Sequence, residues 1–379
     1  MAPYSRSQME IQPFSAASAA DWDRFVESSQ EAWLYHLPSW MAIEAETTRS
    51  VAFAVRLDGR IVGICPMYVG RSRYAGVIGA NTLNTGVARS GPALADGLTT
   101  ECRHRVHQAM FDHLDELRLR HRIDRLLIRL PTLAPAYLPP RRPDVNPLTR
   151  SRPLSPIVYR SSLTSSHLVD KIVDLAVDVD RLWTGLESRC RTAIRKARAG
   201  GVNVREASSI EDVRVCHALH VQTLGRSGAP TPPLSRFERL WTAFHPTGHL
   251  RIFLAIHEGR SIGGLVTLLF KRAASPWAGG SDYAFQQFRP NNLLMWHAMN
   301  AARDSGCRWF EIGPVFSSND QSSKMARIGR FKDQFGGDAY SLFEGSFDWR
   351  PAKMALLDLL DAQAGALVGS WRRAVRPRR

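Results

Sequence analysis

The sequence predicts an α+β protein of two tandem domains, each a mixed, mostly antiparallel sheet flanked by helices. Three observations carry this. First, 379 residues are enough for two buried cores. Second, residues 250–269 align with residues 50–69 at an offset of 200 without a gap: Phe53 matches Phe253, Gly59 matches Gly259, Arg60 matches Arg260 and Gly63 matches Gly263. Third, each of these stretches is followed by a Gly-containing segment, a helix and a strand, so the second half repeats the plan of the first.

In chain order, Asp21 reads as the N-cap of a first helix. A second helix begins in His36-Leu-Pro-Ser-Trp40, with Pro38 or Ser39 in its first turn, and runs to about Thr47. Two apolar runs flank Asp58-Gly59, a strong hairpin signal. Residues 76–91 read as loop and short strand beside a cleft, residues 98–121 have helical spacing, and residues 123–130 read as a strand. The Pro- and Arg-rich stretch 131–165 is an irregular connection, with a possible strand at 155–160. This gives domains at 1–165 and 166–350. They are followed by an apolar helix over 352–368 and a basic tail over 371–379.

In the second half the stretch from Ser188 to Val204 stands out. Arg191, Arg195 and Arg198 fall on one stripe of a helix, with Lys196 beside them. Ala193, Ile194 and Ala197 form the apolar side, and Gly200-Gly201 ends the helix. Such a basic face suits phosphate and equally suits solvent. The hairpin of the second copy leads to a strand over 277–283, a helix over 291–304 and a strand over 307–312.

The net charge is +15 and the sequence pI 10.2. That favours a polyanionic partner: nucleic acid, a phosphorylated substrate or an anionic membrane face. Only six of the 50 basic residues are lysine, so a compositional arginine bias explains the charge equally well. The five cysteines are scattered and form no C-x-x-C pair, which points to reduced thiols in a cytoplasmic protein without a structural zinc. No signal-peptide pattern opens the chain, and no apolar run approaches the roughly 20 residues that span a bilayer. No Ser/His/Asp set and no metal-ligand spacing emerges.

Hairpin, strand, helix, strand is the core order of the GCN5-related N-acetyltransferase (GNAT) fold, which the chain resembles twice over. In that fold the strands splay, and a backbone nest at the helix start receives a pyrophosphate. The corresponding segment here, residues 285–293, has no glycine, and Pro290 removes one amide donor. Residues 96–101 do not supply the loop in the first copy either.

Two fused copies without that loop resemble the FemAB-like aminoacyltransferases. The resemblance rests on Leu182-Trp183, Arg191, Ile194-Arg195-Lys196-Ala197 and Gly201-Val202. It rests further on Gly280-Ser281-Asp282 followed by Leu294-Met295-Trp296, and on Phe331-Lys332 with Phe335-Gly336. It implies transfer of an aminoacyl group from charged tRNA to an amine, on a cell-wall (peptidoglycan) precursor or a small molecule of an antibiotic pathway. No cofactor is implied beyond aminoacyl-tRNA as co-substrate, and a monomer is expected.

By that resemblance Lys332 stabilises the developing oxyanion and Phe331 stacks on the terminal adenosine of tRNA. Asp282 and Tyr283 stand where the central cleft opens, and Glu311, on a strand, is placed to accept a proton or bind an ammonium. Arg191, Arg195, Lys196, Asn292 and Trp296 are candidate substrate or tRNA contacts, and His36 and Trp40 lie on the N-terminal helix that helps hold the acceptor. Two alternatives remain open at this point. One is an N-acyltransferase using an acyl-coenzyme A or carrier-protein thioester, and the other is an inactive RNA- or precursor-binding protein.

Overall fold

The two hairpins repeat down to a single bulge. In a computed structural model that describes residues 9–74, 78–86, 89–144, 147, 168–226, 228–316 and 324–361, strands β3 (Phe53–Leu57) and β4 (Arg60–Cys65) pair Phe53 with Cys65 and Val55 with Gly63, then shift register between Val55 and Arg56. Strands β11 (Leu250–His257) and β12 (Arg260–Phe270) pair Phe253 with Leu265 and Ala255 with Gly263, and shift between Ala255 and Ile256. Both turns use two residues at positive φ, Asp58-Gly59 and Glu258-Gly259, the geometry that matches the twist of the flanking strands. A bulge is a specific local device. Its recurrence at the same offset supports the duplication more strongly than the aligned residues do.

Contacts divide the chain into two units, Met1–Ser161 with Phe343–Arg379, and Ser162–Leu342. In the first unit, α1 (Ala19–Ser28) and α2 (Pro38–Glu44) accompany two sheets. One is ordered β1 (Met9–Pro13), β3, β4, β7 (Ala93–Leu94). The other is ordered β16 (Glu344–Asp348), β8 (Arg125–Arg129), β6 (Ile78–Asn84), β5 (Tyr68–Tyr74), β2 (Arg49–Ser50). Helix α3 (Thr100–His121) connects the short β7 to β8, which runs parallel to β6. Ser18, not Asp21, is the N-cap of α1; Asp21 lies in its first turn, paired with Arg56 and Arg24.

From sequence, residues 343–350 are expected in the second domain and the following helix as a separate element. Both belong to the first unit. β16 pairs with β8 along its whole length, and the Arg125 guanidinium bonds both Asp348 and Asp358. Lys353 reaches the buried Asp124 carboxylate at 2.7 Å, and Met354 and Leu357 pack with Ala80. These are pairings between distant residues, and local pattern does not reveal them. The expected strand at 155–160, residues 362–368 of the expected helix and the basic tail lie outside the described residues.

The second unit is one sheet, ordered β10 (Asn203–Glu206), β11, β12, β13 (Ala273–Ser281), β14 (Trp309–Phe316), β9 (Leu168–Asp174), β15 (Asp338–Ser341). Helix α4 (Val179–Gly185) leads into α5 (Ser188–Ala199). Helices α6 (Ile210–Gly225) and α7 (Leu234–Phe244) precede β11, and α8 (Pro290–Asp304) joins β13 to β14. Cys190, Ile194 and Ala197 on α5 join Leu293, Leu294, Ala298 and Met299 on α8 in the main core. As the sequence predicts, α5 ends at Gly200, with Gly201 at φ +76°. Its apolar stripe differs by one position: Cys190 is buried, and Ala193 turns outward. Among the described residues, no helix is long and apolar enough to cross a membrane and no cluster could hold a metal ion.

Candidate functional site

Strands β13 and β14 are parallel but pair only at Ala273 with Trp309 and Ala274 with Phe310. Beyond that the two strands part, while β14 stays paired with β9 on its other edge along its whole length. At the first unpaired position of each strand stand Ser275 and Glu311, both buried, with the Ser275 hydroxyl donating to Glu311 Oε2 at 2.6 Å. A short hydrogen bond to a buried carboxylate holds its orientation. Two residues further along β14, the chain takes φ +96° at Gly313.

Lys332, on α9 (Lys324–Asp333), donates from Nζ to the Pro314 carbonyl at 2.9 Å. A Cβ on Gly313 would stand 2.8 Å from that Nζ, so glycine is what lets the ammonium settle on this strand. Glu311 and Lys332 thus serve one short stretch of β14, just past the opening of the sheet. The sequence signals Gly313 only as a glycine near a strand end, and Ser275 not at all.

A second feature is a basic pocket of about 550 Å³. One wall is the α5 face carrying Ser188, Arg189, Thr192 and Lys196; the others bring Arg289 and Asn292 from the start of α8, and Arg330 and Phe331 from α9. No carboxylate is among its described lining residues. Arg189 is built into the wall, paired with Glu187 at 2.6 Å and donating to the Arg330 carbonyl at 3.0 Å. Lys196 and Arg289 have no ion pair among the described residues. Asn292 is buried and its amide reaches the Cys190 sulfur. Burial pushes that thiol up to about 11, which keeps it neutral. Of the expected contacts, Lys196, Asn292 and Phe331 come together here. Arg189, Arg289 and Arg330 join them unforeseen, because they meet only through the packing of α5, α8 and α9.

The other candidates are held elsewhere. Arg191 folds back on the end of α4, donating to the Thr184 and Leu186 carbonyls, and so caps a helix instead of facing the pocket. Arg195 lies over the Trp183 ring, 5.3 Å from its centroid. Trp296 is buried edge-on against Trp183, a core residue and not a ligand contact. Asp282 caps the short helix after β13 through the Ala284 amide and pairs with Arg260 at 2.7 Å. Tyr283 is exposed beneath Arg226. In the first unit, His36 is fully buried with Nε2 against the Gly91 carbonyl, and Trp40 is buried beside Tyr35. Neither side chain is available to an acceptor.

The segment entering α8 is a tight 3₁₀ helix, Tyr283–Phe288. The amides of Ala284, Phe285, Arg289 and Asn292 are bonded within it, and Pro290 has none. Phe288 turns in against Gly200 and stacks near His257, with ring centroids 4.1 Å apart. Aromatic side chains, a proline and the bonded amides of Arg289 and Asn292 therefore stand at the helix start where the fold commonly offers a phosphate nest.

With two hairpin–helix–strand units and an opened parallel pair, the class of fold is a tandem GNAT fold. A family model for an acetyltransferase (GNAT) domain matches residues 186–323. The whole architecture is similar to that of FemX, whose crystal structure matches with a TM-score of 0.69 at 16% identity, over 92% of this chain and 99% of that one. The C-terminal domain (DUF2156) of a putative lysylphosphatidylglycerol synthetase from Agrobacterium fabrum matches at 0.53 and 12% identity, over 91% and 96% of the two chains. A tandem GNAT protein from the clavulanic acid biosynthesis pathway matches at 0.53 and 13%, over 90% and 98%. No curated protein matches the sequence.

Proposed function

We propose that this GNAT-fold acyltransferase uses aminoacyl-tRNA as donor and forms an amide bond on an amine acceptor. The observation that carries the proposal is the pairing of two features in one unit. A pocket with four cations and no carboxylate among its described lining residues is present, and at the start of α8 Pro290 offers no amide while those of Arg289 and Asn292 are already bonded, which disfavours a coenzyme A pyrophosphate there. Lys196 and Arg289 would meet RNA phosphates, and Phe331 a base.

The acceptor nitrogen attacks the ester carbonyl of the aminoacyl group. The new C–N bond forms, the oxyanion collapses, and the ester C–O bond breaks to release the tRNA hydroxyl. Glu311 takes the proton lost by the nitrogen and returns it to the leaving oxygen. Lys332 places its charge at the oxyanion, an effect on the order of 3 kcal/mol in a site sheltered from water. The likeness to FemX supports a cell-wall precursor as acceptor, and the likeness to the clavulanic acid pathway protein supports a small molecule.

The test is a transfer assay with bulk tRNA carrying labelled amino acids and a low-molecular-weight cell fraction as acceptor. Label should pass into a base-stable amide, and ribonuclease should abolish the transfer. Ribonuclease-resistant transfer from acetyl-coenzyme A would replace this reading with the thioester one.

A further inference from the structure

The first unit has an opening of its own, and it is built differently from that of the second. A gap lies between the segment before β7, the edge strand of one sheet, and the segment after β8, an inner strand of the other. Beside that gap is a pocket of about 560 Å³, with Pro92, just before β7, on one side and Leu130, just after β8, on the other. An extended ligand entering such a gap would ordinarily pair with the open strand edge as an added strand does. Here that edge is already taken. The Leu94 amide is bonded to Glu31 Oε2 at 2.9 Å, and the Leu94 carbonyl accepts from the Ser29 hydroxyl at 2.7 Å. Recognition in this pocket therefore falls to side chains.

Those side chains have a definite chemistry. Helix α3 contributes Arg103, His104, His107 and Phe111, spaced along one face, and the loop after β8 contributes Tyr137 and Arg141. Glu31, the one carboxylate among the described lining residues, is neutralised by Arg103 as well as by the Leu94 amide. That leaves Arg141 as excess positive charge, exposed at the rim and steadied by Gln30. Burial, with Arg103 and His104 nearby, pushes His107 down to about 4, so it lines the pocket as a neutral imidazole. Leu130, Phe111 and the buried Tyr137 supply an apolar wall. A mostly apolar concavity with a few converging polar groups and a volume in the range of a few hundred Å³ is the usual form of a small-molecule site.

We infer that this pocket binds a small molecule with a carboxylate on an apolar body, the carboxylate meeting Arg141 and His104 and the body lying against Phe111, Leu130 and Tyr137. Its residues all belong to the first unit, and the inference does not depend on the donor used by the second.

Calorimetric binding of butyrate, hexanoate and octanoate to the full chain tests it, with octanamide as the uncharged probe. Affinity should rise about fourfold per added methylene until the pocket is filled. Arg141→Gln and His104→Gln should each weaken octanoate, the former by about tenfold or more. Both positions are at least partly exposed, and an unchanged melting temperature would confirm that the variants fold. Lys196→Gln, in the second unit, should leave octanoate binding as it was. Absence of binding would overturn the inference. So would octanamide binding as tightly as octanoate, indifference to Arg141→Gln, or loss of binding in Lys196→Gln.

Discussion

The Ser275 hydroxyl donates to Glu311 Oε2 at 2.6 Å, one position past the last pair of the β13–β14 ladder. The bond therefore sits at the apex of the opened sheet, and it makes Ser275 a positioning residue for the proposed base. Ser275→Ala should lower kcat about tenfold and move the acid limb of the pH–rate profile upward, because a lost donor disfavours the ionised carboxylate. Glu311→Gln should abolish the acid limb together with most of the activity. A Ser275→Ala profile with unchanged shape would show that the bond is structural only.

Lys332 and Gly313 form a coupled pair. Lys332→Ala should cost about 10²–10³ in kcat. Lys332→Arg should not restore it, since the ammonium already stands 2.8 Å from the place of a Gly313 Cβ and a planar guanidinium needs more room. Gly313→Ala should lower kcat by displacing the ammonium. Steady-state kinetics of the three variants checks this.

Arg191 belongs to the helix end and not to the pocket. Arg191→Ala should destabilise the chain by about 1–2 kcal/mol through the Thr184 and Leu186 carbonyls it leaves without their donor. RNA binding should keep its salt dependence. Urea melts and a salt titration separate the two effects.

Helix α6 lies directly on β13. A Cβ at Gly280 would fall 2.4 Å from the Leu219 carbonyl oxygen, a backbone atom that cannot swing aside. Gly280→Ala should cost about 3 kcal/mol by forcing α6 off the sheet, read as a lowered melting temperature.

Arg205 holds Asp212 with both guanidinium nitrogens, at 2.5 and 2.8 Å, and lowers its carboxyl to about 2. The folded value lies below the unfolded one, so the stabilisation is complete above about pH 4 and is lost as pH falls toward 2. Discounted for the half-exposed guanidinium, it amounts to about 1–2 kcal/mol. Asp212→Asn should remove that amount at neutral pH and flatten the acid-denaturation curve over this window.

The fold was legible where local pattern and long-range order agree. Asp58-Gly59 and Glu258-Gly259 announce their hairpins, Gly200-Gly201 ends α5, and the order of elements reveals the duplication. What sequence missed depends on packing. Arg191 and Arg195 lie on the helical stripe that spacing predicts, yet one caps α4 and the other stacks on Trp183, because neighbouring elements claim them first. Arg189, Arg289 and Arg330 meet Lys196 only when three helices converge. Ser275 is an ordinary strand serine until β14 brings Glu311 beside it. Trp296, read as a ligand contact from its motif, is held by core packing.

The central claim is that the donor is aminoacyl-tRNA bound through the basic pocket. Its most direct test is binding of charged tRNA, uncharged tRNA and acetyl-coenzyme A across a salt series, to the natural chain and to Lys196→Gln/Arg289→Gln. The account predicts preference for charged tRNA. It predicts affinity that falls with salt, and a salt slope shallower by about one for each phosphate contact removed. Binding of coenzyme A, with no preference for charged tRNA and no change of slope in the double variant, would contradict it.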